Sequence, residues 1–250
     1  MQKVAITFGG SLPRYVAAAQ RFKNQLESLK IYDKIIAYTH EDLQNDNEFW
    51  NNHGNFLTQH KRGYGYWLWK SYLINKTLST MEHGDILFYS DAGCEVNEEK
   101  KLITQTLIDS LKNENEYCIY MSLNSGDCKE EKYTKFDTLK QFNCENNAKV
   151  LKRTQLIGGI ILIKVNEKSK KIMQEWFEYC IKDNYSLLSD APSKQQERSK
   201  FKDHRHDQSI ISLMAKTIYF NDINYRSNIS NAVYVLRTRS GESKLTKIKD

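Results

Sequence analysis

The chain has 250 residues, 40% hydrophobic and 27% charged, with a net charge of +6. That length buries one sizeable core, so one α/β-sized domain with elaborations is expected, and the balance is that of a soluble globular protein. No apolar run approaches the roughly 18 to 20 residues of a membrane span, and the five cysteines lack a Cys-x-x-Cys pair, which argues against a disulfide framework or a zinc knuckle and for a reducing cytoplasm.

In chain order, Val4 to Phe8 reads as a first strand ending in Gly9-Gly10-Ser11. An amphipathic helix follows with Val16, Ala19, Phe22 and Leu26 near helical spacing, and Lys34 to Tyr38 is a second strand. Strand, helix, strand is the opening of a parallel sheet with right-handed crossovers. Gly9-Gly10 either brings backbone N–H groups to a ligand or makes a plain turn. The spacing Gly-x-Gly-x-x-Gly is absent, against a nicotinamide or flavin enzyme. Glu41 to His60 reads as a polar loop that could fold over a site.

Arg62-Gly63-Tyr64-Gly65-Tyr66-Trp67-Leu68-Trp69-Lys70 comes next. Its aromatic faces can stack on a base or sugar and its cations can meet a diphosphate; the same rings would also serve as one packed face of a helix running to Leu78. Asp85 through Tyr89 is a short apolar run of the kind buried on both faces of a sheet, and it stops at Ser90-Asp91-Ala92-Gly93. Asp91 is thereby placed at the carboxyl end of a central strand, where open α/β sheets bind ligands, or it caps the stretch that follows.

Beyond it, Glu98 to Lys112 is an amphipathic helix, Tyr117 to Met121 a strand, and Leu156 to Val165 a buried strand headed by Gly158-Gly159. Those glycines mark either close approach to a ligand or a bulge. Glu167 to Lys182 is a helix, and Asp183 to Asp203 is polar and exposed. His204-Arg205-His206-Asp207-Gln208-Ser209 opens another helix, with Asp203 or Asp207 as its cap. Ala232 to Leu236 is strand-like, and the basic tail carries Arg237 and Arg239, which could close over phosphates.

Taken together, the aromatic stretch, Tyr89-Ser90-Asp91-Ala92-Gly93, Gly158-Gly159 and His206-Asp207-Gln208-Ser209 resemble a nucleotide-sugar-dependent glycosyltransferase of the GT-A fold. The resemblance implies one Rossmann-like α/β domain with a mainly parallel sheet flanked by helices, residues 1–125 forming a nucleotide-binding half and 126–250 an acceptor-binding half with the basic tail. It implies a sugar-nucleotide donor, UDP-linked first, held by Phe8, Gly9, Gly10, Tyr38, Thr39, Arg62, Tyr66, Trp67, Lys70, Ser90, Asp91, Ala92, Gly158 and Gly159. That family carries Asp-x-Asp at this strand end to hold Mn²⁺ or Mg²⁺; here Asp91 matches the first Asp and Gly93 stands at the second. Glu95 or His206 could then join Asp91 on the metal, or cations could replace it. Gln208 would lie beneath the sugar and Asp207 would orient hydroxyls in a retaining reaction; an inverting one needs a base, Asp207 or Asp190. The acceptor would be a glycan, a lipid-linked precursor or a protein, with peripheral membrane contact through the tail. A sugar-nucleotide nucleotidyltransferase and a non-catalytic sugar or nucleotide binder are the alternatives. No nucleic-acid-binding signature appears.

Overall fold

In a computed structural model that describes residues 1–245, β1 (Lys3–Phe8), β2 (Lys34–Tyr38), β3 (Ile86–Ser90), β4 (Ile119–Tyr120), β5 (Ile160–Lys164) and β6 (Ile223–Asn224) form one sheet. The strand order is β2-β1-β3-β5-β4-β6. β1 is parallel to β2 and β3, and β4 is parallel to β6, but β5 runs antiparallel to both of its neighbours. The expected mainly parallel sheet is present, with this one reversal. Since β4 joins β5 to β6, the sheet runs on past residue 125.

Period-two alternation sorts the core onto both faces. Leu87 and Tyr89 of β3 face the helices Leu68–Ser79, Glu167–Tyr185 and His206–Thr217, packing with Leu73, Trp176 and Leu213. Ile86 and Phe88 face the helices Pro13–Leu29 and Lys101–Asn113, packing with Phe22, Leu26, Ile108 and Leu111. Each such fully buried side chain contributes about 1.5–3 kcal/mol. A sheet covered on both faces leaves its strand ends as the place where a ligand can enter.

Several expectations are corrected. The polar stretch 41–60 is helical, His40–Gln44 and then Asn47–Gln59, the latter capped by the Asp46 side chain on the Phe49 N–H at 3.2 Å. Gly158-Gly159 precede β5 rather than lying in it. Ala232–Leu236 forms no strand: a 3-10 turn ends at Ala232, and Tyr234 makes a lone bridge to Glu95. Neither Asp203 nor Asp207 caps the helix His206–Thr217, which has no side-chain cap.

Among the described residues no helix is long and apolar enough to cross a membrane. Residues 246–250 of the basic tail lie outside the described residues.

Candidate functional site at the carboxyl end of the central strand

The reversal of β5 builds the site. Its antiparallel register sets Ser90 opposite Ile160, so the residue after β3 meets the residue before β5. Asp91 N–H donates to the Gly159 carbonyl at 2.9 Å. A Cβ on Gly159 would stand 2.5 Å from Asp91 Oδ2, closer than any real contact. Only glycine at 159 leaves the carboxylate where it is. Tyr89, one pleat back on the same face, donates its hydroxyl to Asp91 Oδ1 at 2.5 Å. Burial first, and then the Asp91 charge, raise that phenol well above its ordinary range, so it stays protonated and donates.

Lys70 supplies the counter-charge. Its ammonium, 4% exposed, lies 3.5 Å from Asp91 Oδ1 and 2.9 Å from Asp207 Oδ2. Burial alone would strip its proton, but Asp207 and then Asp91 more than offset that, and the net shift is upward. Asp207, 4% exposed, moves the other way. Burial pushes its carboxyl up to about 6, with Lys70 pulling it back. Asp91 is the open member, with 42% of its side chain exposed. One carboxylate facing solvent and one facing the core are thus linked by a single buried cation.

The backbone leading to Lys70 is strained. Gly63, Tyr64, Gly65, Tyr66 and Trp67 all have positive φ, 58, 53, 78, 50 and 63°, so the short helical element Gly63–Tyr66 is left-handed. A non-glycine residue in that region costs roughly 1–2 kcal/mol. The right-handed helix begins only at Leu68. This turn sends Tyr66 and Trp67 toward His206, with ring centroids 4.8 and 5.5 Å away, rather than toward the β1 and β2 ends.

His206 also has positive φ, 53°. Its Nδ1–H donates to the Leu188 carbonyl at 2.7 Å, which leaves Nε2 as a buried lone pair 3.7 Å from Asp190 Oδ1. Burial brings this imidazole down to about 4, so it is neutral at pH 7. Gln208 is tied at both ends: Oε1 accepts from the Gly158 N–H at 3.1 Å and Nε2 donates to Gln155 Oε1 at 3.0 Å. Its place is beside the glycine pair, which it holds against the helix. Asp207 is fixed in turn by its carbonyl, which accepts from Trp176 Nε1 at 3.0 Å.

At the β1 and β2 ends, Phe8 packs on Trp69 at 4.1 Å and on Tyr64 at 6.3 Å, and the Tyr64 hydroxyl bonds His40 Nδ1. These rings form an aromatic wall beside Tyr38 and Thr39. Gly9 is not an open donor: its N–H is taken by the Tyr38 carbonyl at 2.8 Å, and a Cβ there would stand 2.8 Å from Val16 Cα. Close packing of strand on helix is what Gly9 supplies. Gly10 adopts φ of 65° and turns the chain. Ser90 is fully buried and Ala92 nearly so, leaving Asp91 as the exposed side chain of that run. Arg62 is elsewhere, held by Asp190 at 3.2 Å and Asp203 at 2.7 Å.

The residues present fit a divalent cation poorly: one or two carboxylates ordinarily hold such an ion against substrate phosphates, and Asp91 is the one open carboxylate at this strand end. Asp91 already carries the Lys70 ammonium, and Gly93 offers no carboxylate. Glu95 is fully buried and bonded to Arg21, Gln25, Thr238, Ser243 and the Lys244 N–H, so it cannot turn to a metal. His206 faces Asp190, itself paired with Arg62. Among the described residues no group of three or more His, Cys, Asp or Glu is arranged to hold a metal ion.

Sequence reasoning missed Tyr89 and Gln155 as partners of the site, and it did not foresee Lys70 as the bridge between two carboxylates. Fold and site together define an α/β protein with a charged array at the carboxyl end of a central strand and a cluster of aromatic rings beside it. No protein-family model matches the chain, and no curated protein does. Among solved structures, the chain is similar to apo mouse xyloside xylosyltransferase 1, with a TM-score of 0.47 and 9% identity over 90% of this chain and 85% of that one. It is also similar to a glycosyltransferase involved in glycosylation of the major capsid of PBCV-1, with a TM-score of 0.44 and 9% identity over 80% of each chain.

Proposed function

We propose that the chain is a glycosyltransferase that moves a sugar from a nucleotide-diphosphate donor, a UDP-sugar in the first instance, to a hydroxyl of a glycan, lipid-linked or protein acceptor. The observation that carries this reading is the Asp91–Lys70–Asp207 array beside Gly158-Gly159. A sugar presents hydroxyl groups, which donate to carboxylates and accept from an ammonium. Of the array, the exposed Asp91 carboxylate is the member a hydroxyl can reach, and buried Lys70, the Tyr89 hydroxyl and the close-packed Gly159 fix its position.

Transfer builds positive charge on the anomeric carbon and negative charge on the departing diphosphate. In this reading Asp91, exposed and held by Tyr89 and Lys70, faces the first of these, and the bound donor excludes water from the carboxylate so that its charge acts. Asp207 orients the donor through Lys70, and Gln208 keeps the glycine pair in register. Tyr38 and Tyr64, the half-buried rings backed by buried Phe8 and Trp69, are assigned to the nucleoside. We assign a retaining course, with Asp190 the candidate base if the product is inverted.

A panel of UDP-, GDP- and CDP-sugars tests the reading. Native-state ligands raise the melting temperature, and a transferase also releases nucleotide diphosphate when an acceptor is added. A shift with one donor class and release that Asp91→Asn abolishes are the expected results. A shift without release under any acceptor makes the protein a non-catalytic binder. No shift with any donor, from folded protein, overturns the assignment.

A further inference from the structure

The chain beyond β6 crosses back over the loop that follows β3. Gly93 accepts from the Thr238 N–H at 2.9 Å, and a Cβ on Gly93 would lie 3.3 Å from Arg237 Cα. This crossing is clamped from below. Glu95 accepts from the Thr238 hydroxyl at 2.5 Å, from the Lys244 N–H at 2.9 Å and from the Ser243 hydroxyl, while Arg21 meets it at 3.0 Å. Arg21 also donates to the carbonyls of Ala92 at 2.6 Å and Cys94 at 3.2 Å, tying the clamp to the loop itself. These bonds to the ionised form hold the Glu95 carboxyl down at about 2 despite its burial, so the clamp stays charged at all ordinary pH values.

Two arginines of this strap, Arg237 and Arg239, are exposed, and Arg237 is the one whose backbone lies against Gly93. Thr238 is buried beside it, but Arg237 is exposed, and its backbone is held at φ of 52°, in the left-handed region that favours glycine. Among the described residues no hydrogen bond or ion pair is recorded for its guanidinium. A long cationic side chain kept in a strained backbone with no partner of its own is a feature that stability alone does not explain.

We infer that Arg237 is the cation that meets the donor's diphosphate, and that donor binding needs no divalent metal. The inference rests on the transferase reading above and goes beyond it by naming what stands in place of the metal. Where a second carboxylate would project at residue 93, the chain has a glycine, and against that glycine lies the backbone of an arginine. The substitution is one positive group for another. A guanidinium binds two phosphate oxygens at once through parallel N–H donors, which a lysine does not reproduce.

Isothermal titration of the full chain with UDP and with GDP, once in EDTA and once in Mn²⁺, tests this. The expected result is affinity for one of them that differs by less than about twofold between the two buffers. Arg237→Gly is the informative variant, because glycine relieves the backbone strain while deleting the charge. Its melting temperature should hold or rise while affinity in EDTA falls about tenfold or more, with Arg237→Lys recovering part of the loss. Thr238→Val, which removes one of the strap's three bonds to Glu95 with Arg237 intact, should weaken binding in the same direction. Affinity that requires Mn²⁺ and survives Arg237→Gly would overturn the inference and leave the transferase reading standing. Absence of nucleotide diphosphate binding in either buffer would overturn both.

Discussion

Two places in this molecule hold one cation between two carboxylates, and they differ in burial. Lys70 sits between Asp91 and Asp207 with its own side chain and that of Asp207 only 4% exposed. Arg62 sits between Asp190 and Asp203 with all three side chains about 40% exposed. The formal charges are the same. Water screens the second set, and an exposed pair of this kind contributes about 0–1 kcal/mol. In the first set, removing one partner strands a charge in the core and costs about 3–5 kcal/mol. Arg62 therefore tethers the segment around Asp190 to the aromatic turn, while Lys70 holds the site in a form in which any change is felt.

The largest effect that separates the two is Lys70→Met. It should lower unfolding free energy by about 3–5 kcal/mol in chemical denaturation, and Lys70→Met with Asp207→Leu should recover most of that, since the one charge then left without its cation, Asp91, faces solvent. Next comes Asp91→Asn. Turnover should fall by about 100-fold or more with little change in melting temperature, as for the loss of one preorganised electrostatic group.

Gly159→Ala sharpens the geometric half of the argument. The methyl must push the Asp91 carboxylate aside, so initial rates should fall about tenfold or more, at a distance from the chemistry that a 1 Å misplacement explains. A variant with wild-type rates would show that the glycine serves folding alone.

The buried set also predicts a pH dependence. Asp207 has its carboxyl raised to about 6, so it takes up a proton as pH falls through 6 and its attraction for Lys70 is lost. kcat/KM should therefore decline on the acid side with a midpoint near 6, and Asp207→Asn should remove that limb along with most of the activity. The stability contribution has the opposite sign. The folded state binds this proton more tightly than the unfolded one, so between the ordinary carboxylate range and about 6 the ionisation of Asp207 lowers stability as pH rises. The smallest effect belongs to Arg62→Ala, which should cost at most about 1 kcal/mol and change turnover by no more than about threefold.

Much of this was legible in the chain, for physical reasons that can be named. Asp85 to Tyr89 announces a buried strand because both faces need apolar residues, and its sudden polar end places Asp91. The same property hid the reversal of β5. Ile160 to Lys164 is buried on both faces, so nothing in its pattern distinguishes a parallel neighbour from an antiparallel one. The helix Asn47–Gln59 was concealed by Asn-rich composition, although Phe49, His53, Phe56 and Leu57 fall on one face. His53 occupies a core-facing position there, its Nδ1 2.8 Å from the Tyr185 hydroxyl. Gly63 and Gly65 signal a turn, but Tyr64, Tyr66 and Trp67 ordinarily avoid positive φ, so a left-handed turn through all five residues was not legible beside the two readings of the aromatic stretch. The Lys70–Asp207 pair joins residues far apart in the chain and left no local trace.

The placement of β5 between β3 and β4 also bears on how the chain reaches this state. Synthesis runs from the amino end, and segments fold as they emerge. β1, β2 and β3 can pair as soon as they are made, whereas the strand that covers the other edge of β3 arrives only with residues 160–164. Until then Ile86, Leu87 and Phe88 present an open edge of the kind that recruits other chains. Asp91 gains Gly159 at that moment and Asp207 later still. The site therefore cannot form before residues 160–164, and then Asp207, have been made.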